Sequence, residues 1–387
     1  MKKTLLAAAL MAGFAGVAQA ETSVTLYGIL DGGIAYEQIK GKASYNPNAT
    51  TSFKSSRTGL TNGVQFGSRW GLKGQEDLGN GLRAIFVLES GYDQNTGNSG
   101  QGGRLFGRQA TLGLASDSWG TFEMGRKVNI ASQYLAGVVS PFGASFSQAN
   151  AGAVFTQANT LRLDNQLQYQ TPNFSGFQFG LGYSFNASGA QNRDLEINGN
   201  KPERNTRVFT TGVRYSGGPL AAALTYDQFT SADTAVSSPD TNVSAWALGL
   251  SYNFEVVKVF AGFGQTRDGF FQTQAYNNWG GESNSNGIAG AMTAVEGLKF
   301  NSYSLGLSAP VGNGTIMAGW MMADPRSNPD NWAVGNELDK QQTYSLGYTY
   351  NFSKRTSMYA IGSYAKHVNF LPDAKSTLIG VGLVHKF

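Results

Sequence analysis

The chain has 387 residues, of which 51 are glycine, 12% are aromatic and 14% are charged, and it has no cysteine. Charge is scarce against the usual ~25% and glycine abundant against ~7%, and the lack of cysteine excludes disulfides, a thiol nucleophile and a thiolate metal site. The formal charge of +4 falls to +2 once Lys2 and Lys3 are set aside (27 basic against 25 acidic residues), and with no Lys/Arg-rich stripe there is no case for a nucleic-acid partner.

Residues 1–20 read as an export leader. Lys2 and Lys3 are followed by an apolar run over 5–17 and by Ala18-Gln19-Ala20, which places cleavage between Ala20 and Glu21 and leaves one mature domain, 21–387. The apolar run is too short to span a ~30 Å hydrocarbon core comfortably, and no later stretch of eighteen apolar residues occurs. Such a chain still crosses a membrane if its strands close a barrel, which pairs every backbone group.

After the leader, apolar and polar residues alternate in short segments. Phe177, Phe179, Leu181, Tyr183 and Phe185 alternate with Gln178, Gly180, Gly182 and Ser184; Trp246, Leu248, Leu250 and Tyr252 alternate with Ala247, Gly249 and Ser251. Period two sends the two sets to opposite faces of a sheet. The polar set is Gly, Ser, Thr, Asn and Gln with few charges, which suits a wet lumen with lipid on the aromatic side. Sixteen strands are expected, over 22–37, 62–75, 81–92, 104–116, 121–127, 161–172, 176–187, 206–216, 219–230, 242–254, 256–268, 298–310, 313–325, 341–352, 355–368 and 375–387. Tight connections rich in Gly, Pro, Asn and Asp, such as 76–80, 117–120 and 172–175, alternate with long ones at 38–61, 93–103, 128–160, 188–205, 231–241, 269–297 and 326–340 and a shorter one near 369–374. This pattern predicts an all-β fold: a 16-stranded antiparallel transmembrane β-barrel with short periplasmic turns and long outer loops.

Residues 128–161 contain no Asp, Glu, Lys or Arg. A connection this long without its own periodicity is uncommon and usually functional or disordered, and it is read as a loop folded into the barrel mouth, facing arginines on the wall. An arginine or lysine facing lipid at mid-membrane costs ~2–4 kcal/mol, so mid-strand arginines should face water. Local parity sets Arg69 and Lys73 with Gly67 and Gly71, opposite Phe66, Ser68, Trp70 and Leu72; it sets Arg162 with Asp164, Gln166 and Gln168, opposite Leu163, Leu167 and Tyr169. Arg126, just before the long segment, is a further candidate, and Asp31, Glu89 and Asp164 are inward acids. Lys54 and Arg57 are expected in the first outer loop, solvated or facing lipopolysaccharide.

The last strand ends Ile379, Val381, Leu383, His385, Phe387, alternating to the carboxyl terminus. It resembles the signature that the outer-membrane insertion machinery recognises. Together with Ser23-Val24-Thr25-Leu26-Tyr27-Gly28, Gly71-Leu72-Lys73-Gly74-Gln75-Glu76-Asp77-Leu78-Gly79, Gly125-Arg126, Pro141-Phe142-Gly143, Arg162-Leu163-Asp164-Asn165, Pro172-Asn173-Phe174-Ser175-Gly176-Phe177 and His385-Lys386-Phe387, the mature chain resembles the trimeric general porins of β-proteobacteria, of the neisserial, Burkholderia and Bordetella type and nearest to the Bordetella members. The resemblance implies a homotrimer in outer-membrane lipid and lipopolysaccharide, passive diffusion of small hydrophilic solutes, and a third outer loop that turns inward around Pro141, Phe142 and Gly143. It also implies that Arg108 joins Arg69 and Arg162 at a constriction and that Phe387 serves insertion. Many porins oppose their arginines with acidic loop residues; this loop has none, so small anions should be favoured. No cofactor, metal or enzymatic activity is expected. His367 and His385 have no obvious Ser/Asp pairing, and Gly97, Gly100, Gly102 and Gly103 lack the Lys-Ser/Thr of a phosphate loop. The alternatives are a surface adhesin barrel, separable by conductance in planar bilayers, and a barrel hydrolase, separable by lipase assay.

Overall fold

A computed structural model describes residues 23–42, 44–196, 198–199, 201–232, 241–274, 276 and 291–387. The expected leader and its Ala20/Glu21 junction lie outside these residues. Among the described residues seventeen strands form one antiparallel sheet: β1 (Ser23–Lys42), β2 (Ser52–Thr61), β3 (Arg69–Gly79), β4 (Leu82–Gly91), β5 (Gln109–Ser116), β6 (Gly120–Val128), β7 (Arg162–Gln170), β8 (Phe177–Ser184), β9 (Arg207–Gly217), β10 (Leu220–Thr230), β11 (Asn242–Asn253), β12 (Lys258–Gln272), β13 (Ala291–Val311), β14 (Gly314–Ser327), β15 (Gln341–Asn351), β16 (Thr356–Lys366) and β17 (Lys375–Lys386). Neighbours in sequence pair except β2 and β3, which both pair with β1, and β17 pairs with β1, so the sheet closes into a barrel without edges.

The barrel nonetheless has sixteen staves, because β2 and β3 are two halves of one. β1 pairs with β3 through residues 23–29 and with β2 through residues 33–42. Between the last β2 pair (Gly33 with Thr61) and the first β3 pair (Ile29 with Arg69), the seven residues 62–68 stand opposite the three residues 30–32. The sequence predicts a continuous strand over 62–75 and a loop over 38–61; instead most of 38–61 is strand, and the interruption falls within 62–68. Gly63 takes a left-handed φ of 72° there. Asp31 supplies the bonds that the ladder loses: its carboxylate accepts Phe66 N at 2.5 Å and the Tyr359 hydroxyl at 2.8 Å, and its backbone N–H donates to Ser68 Oγ at 3.1 Å. Arg57, expected in a loop, is on β2 and bonds Glu37 of β1 at 2.8 Å.

The period-two pattern sorts side chains as expected. Leu26 is 59% and Leu346 58% exposed, while Ala247 and Thr343 on the opposite parity are 0% exposed. Rows of exposed apolar side chains of this extent mean a membrane surface, and the polar rows line the interior of the closed barrel. Two local departures matter for the site. The β6–β7 register shifts between Gly125 and Lys127, and Asn165 has a φ of 48°. Leu163, assigned by parity to the lipid side, is therefore fully buried in a cluster with Leu161, Ala187, Val208, Phe229 and Phe271, because one residue off the extended path reverses the faces. Arg108 precedes β5 instead of lying within it.

Candidate functional site

The predicted cations converge where β3, β4, β6 and β7 meet the long connections. Arg69 opens β3, and its Nε donates to Gly67 O at 3.1 Å. Arg108 is fixed from both ends: its backbone N–H donates to Glu89 O at 3.2 Å and its Nε to Glu89 Oε1 at 2.7 Å. The other Glu89 oxygen accepts the Tyr27 hydroxyl at 3.0 Å. Arg126, freed by the register shift beside it, donates to Gly107 O at 2.7 Å and to Asp164 Oδ1 at 2.5 Å. Asp164 also accepts both Arg104 contacts, at 2.8 and 2.9 Å, and Gly189 N at 2.7 Å. Arg104 was not picked out from the sequence; it follows a glycine-rich stretch that gives no parity.

Arg162 has a different environment. It feels the guanidinium groups of Arg108, Arg126 and Arg69. Among the described residues its side chain has one hydrogen bond, a long one to Thr160 O at 3.5 Å, and its buried Nε has no partner. Lys73 is exposed, 5.5 Å from the Tyr27 ring centre. Seven cations (Arg69, Lys73, Arg104, Arg108, Arg126, Lys127, Arg162) thus share the region with four acids (Asp31, Glu89, Glu123, Asp164), of which Glu123 is taken by Lys127. The acids are saturated: Asp31 by Phe66 and Tyr359, Glu89 by Arg108 and Tyr27, Asp164 by Arg104, Arg126 and Gly189. Among the described residues Arg69, Arg162 and Lys73 form no ion pair, so the excess is positive and centred on them.

The charge-free segment 129–161 has its own local structure: helices α1 (Ile130–Tyr134) and α2 (Ala136–Val139), followed by three short 3-10 turns. Asn129 starts it. Its Oδ1 accepts Ser132 N at 3.3 Å, capping α1. Its Nδ2 donates to Gln157 O and to Asp227 Oδ1 of β10, both at 2.8 Å. The segment then bonds polar-row side chains strand after strand. Thr210 Oγ1 accepts Ile130 N at 2.9 Å, Ser304 Oγ donates to Val139 O at 2.9 Å, Ser302 Oγ to Val154 O at 2.7 Å, and Gln341 Nε2 to Ala153 O at 2.5 Å. Gln148 links Ser363 of β16 and Ser376 of β17. At its far end, Phe146 N donates to Gln65 O at 3.0 Å, meeting the interruption between β2 and β3.

Glycines make this seating possible. A Cβ on Gly249 would lie 2.6 Å from Val139 Cγ1, one on Gly262 2.7 Å from the same atom, one on Gly180 2.6 Å from Ile130 Cδ1, and one on Gly306 2.4 Å from Pro141 Cδ. No real side chain tolerates such distances. Phe142, 2% exposed, packs over Gly319 and Gly347 and against Phe146, and Gly143 has a φ of 55°. Pro141 and Phe142 therefore anchor the segment to β13–β15.

Phe387 closes the barrel, exchanging backbone hydrogen bonds of 3.1 Å in both directions with Gly28 of β1, while its ring lies over Gly28. Gly28 and Phe387 are thus a matched pair at the seam.

A family model described as Gram-negative porin matches residues 7–369. An outer membrane porin protein of Bordetella pertussis is 50% identical, with 100% of each chain covered. Outer membrane porin protein 32 of Delftia acidovorans is 33% identical over 98% of this chain and 92% of its own. Among solved structures, the anion-selective porin from Comamonas acidovorans is 28% identical with a TM-score of 0.66, over 95% of this chain and 100% of that one. An outer membrane channel of Acinetobacter baumannii shares the fold at a TM-score of 0.63 and 14% identity, over 95% of this chain and 97% of that one.

Proposed function

The chain belongs to the Gram-negative porin family, and on that premise we propose that its channel prefers small anions, selected where the arginine cluster faces segment 129–161. The channel itself follows from family and fold: an outer-membrane barrel of sixteen staves through which small hydrophilic solutes diffuse passively. In this reading segment 129–161 is the constriction loop. Support comes from its hydrogen bonds to the polar rows of β9, β10, β13, β15, β16 and β17.

The observation that carries the anion preference is the imbalance at the cluster. Every acid near it is engaged, the loop adds none, and Arg69, Arg162 and Lys73 stay unpaired among the described residues. Low-dielectric walls focus such a field and enrich counter-ions, and guanidinium suits carboxylate and phosphate. The anion-selective neighbour from Comamonas acidovorans agrees in kind. In a planar bilayer with a KCl gradient, the reversal potential should take the sign of chloride preference; a potassium preference would place the controlling charges elsewhere.

Three partner assignments complete the proposal. The protein works as a homotrimer, so unheated gel samples should migrate near three times the monomer mass and collapse on boiling. Phe387, at the barrel seam, is read by the insertion machinery; its deletion should lower assembled porin in the outer membrane while leaving export intact. The outer rim contacts lipopolysaccharide.

A further inference from the structure

Four lysines stand side by side on neighbouring strands. Lys54 of β2 pairs with Lys40 of β1, Lys40 with Lys375 of β17, and Lys375 with Lys366 of β16. Each has the parity of exposed apolar residues on its own strand: Leu60, Ile34, Ile379 and Tyr364. They therefore point away from the lumen. They also lie at the end of their strands that carries the long connections, on the outer-leaflet side. With strands ≈ 4.7–4.9 Å apart, four ammonium groups share a row of roughly 15 Å. Like charges directly opposite destabilise a sheet, and no acid among the described residues offsets them. The nearby acids Asp373 and Asp339 pair with Lys42 and His367, and Lys340 takes Asp324; among the described residues none of the four lysines has an acid partner.

The depth of the row is set by its neighbours. One register step toward the membrane lies the row Tyr344, Tyr364, Thr377, Gln38 and Ser56. Aromatic girdles mark the membrane–water interface, so the lysines sit at headgroup level. Immediately beneath Lys366 and Lys375 the membrane face holds an apolar recess of about 830 Å³, lined by Ala318, Trp320, Tyr344, Leu346, Gly362 and Tyr364 among others. It exists because the wall is short of side chain there: a Cβ on Gly362 would meet nothing within 4 Å. Its volume lies within the ~300–1,000 Å³ range of sites that hold a small molecule.

We propose that the Lys40–Lys54–Lys366–Lys375 row and the recess below it form one binding site for a phosphorylated lipid of the outer leaflet. The lysines hold its phosphates and the recess takes an acyl chain. A basic cluster at a membrane surface is a recognised way to hold anionic headgroups, and the recess adds the second half of an amphipathic ligand. The proposal rests on the outer-membrane placement of the barrel and gives the lipopolysaccharide contact a specific location.

The test uses the full mature barrel folded in detergent, titrated with bis-phosphorylated lipid A, with the same lipid stripped of phosphate, and with inorganic phosphate. The wild type should bind the phosphorylated lipid most tightly. The quadruple Lys→Gln variant should lose at least tenfold, the quadruple Lys→Arg variant should keep its affinity, and Gly362→Leu should weaken lipid binding by filling the recess. Equal affinity of the Gln variant, or of the wild type for the phosphate-free lipid, overturns the assignment. So does competition by inorganic phosphate at the lipid's own concentration, which would make the row a soluble-anion site. A changed oligomeric state in Gly362→Leu with unaltered lipid binding would assign the recess to a contact between copies and also overturn the proposal. Single-channel conductance of each variant is read in parallel: a barrel that binds lipid but does not conduct contradicts the channel and leaves the lipid site standing.

Discussion

The two walls of this barrel solve opposite problems. From β3 to β7 the polar row and the connection before β5 carry long charged side chains, with Glu89, Glu123 and Asp164 spread among seven cations. From β8 to β15 the polar row is mostly glycine, serine, threonine and alanine, interrupted by charges such as Arg214 and Asp227, and segment 129–161 lies against it. One wall extends guanidinium groups into the water path; the other withdraws its side chains so that a folded segment can sit there. Even the way each holds its neighbours differs. The charged wall is tied by ion pairs such as Arg108–Glu89 at 2.7 Å. The seated wall is tied by neutral hydrogen bonds from Ser302, Ser304 and Gln341 to backbone carbonyls. Under the proposed function, width and charge of the passage are set by separate residues and can be changed separately.

The largest effect should come from refilling the seated wall. Gly249→Leu and Gly306→Leu each place atoms where Val139 and Pro141 already are, and overpacking of this kind costs about 1–3 kcal/mol per site. The double variant should unseat the segment, giving altered and noisier single-channel conductance while the sign of the reversal potential is kept. An unchanged conductance trace would mean that these glycines do not hold the segment.

Loosening the start of the segment should act more mildly. Asn129→Ala removes the α1 cap and takes from the buried Asp227 its 2.8 Å amide partner, leaving Thr210; a lost hydrogen bond costs about 0.5–1.5 kcal/mol. The expected readout is faster proteolysis within 129–161 and flickering conductance, with selectivity retained. Conductance as quiet as the wild type would mean that Asn129 does not hold the segment.

The charged wall is tested without touching width. Unit charges 4 Å apart interact by about 1 kcal/mol in bulk water, about fivefold in local ion concentration. Arg69→Ser with Arg162→Ser should therefore lower the chloride-over-potassium preference several-fold, and the unitary conductance should change less than the selectivity. An unaltered reversal potential would show that the paired cations Arg104, Arg108 and Arg126 set the field.

The smallest expected effect is Ala144→Glu, which puts a single acid on an exposed position of the charge-free segment. It should lower the anion preference further at low salt and lose its influence toward 1 M salt, where the Debye length falls to about 3 Å. A salt-independent effect would point to a change in shape.

Much of the fold was legible because it is written locally. Rows such as Tyr344, Leu346 and Tyr348 against Ser345 and Gly347 declare a two-faced strand without reference to any partner. Turn chemistry at 172–175 or 217–218 declares where strands reverse. Of the site, Arg69, Arg108 and Arg126, proposed with Arg162 from the sequence, lie within electrostatic reach of it. Arg104 was missed because the glycines around it carry no alternation, and Leu163 was put on the wrong face because nothing in Asp164-Asn165 announces a φ of 48°.

By itself the sequence determined the barrel, its sixteen staves, the lipid-facing rows and a long outer segment free of charge, because side-chain alternation and turn preference are properties of a few consecutive residues. Only the tertiary structure decided that one stave is broken at 62–68, which acids engage which arginines, and that Gly180, Gly249, Gly262 and Gly306 are seats for a distant segment. Those outcomes depend on closure: a residue from one strand meets a residue hundreds of positions away, as Asp31 meets Tyr359 at 2.8 Å. A glycine's missing side chain acquires meaning only when something else occupies the space.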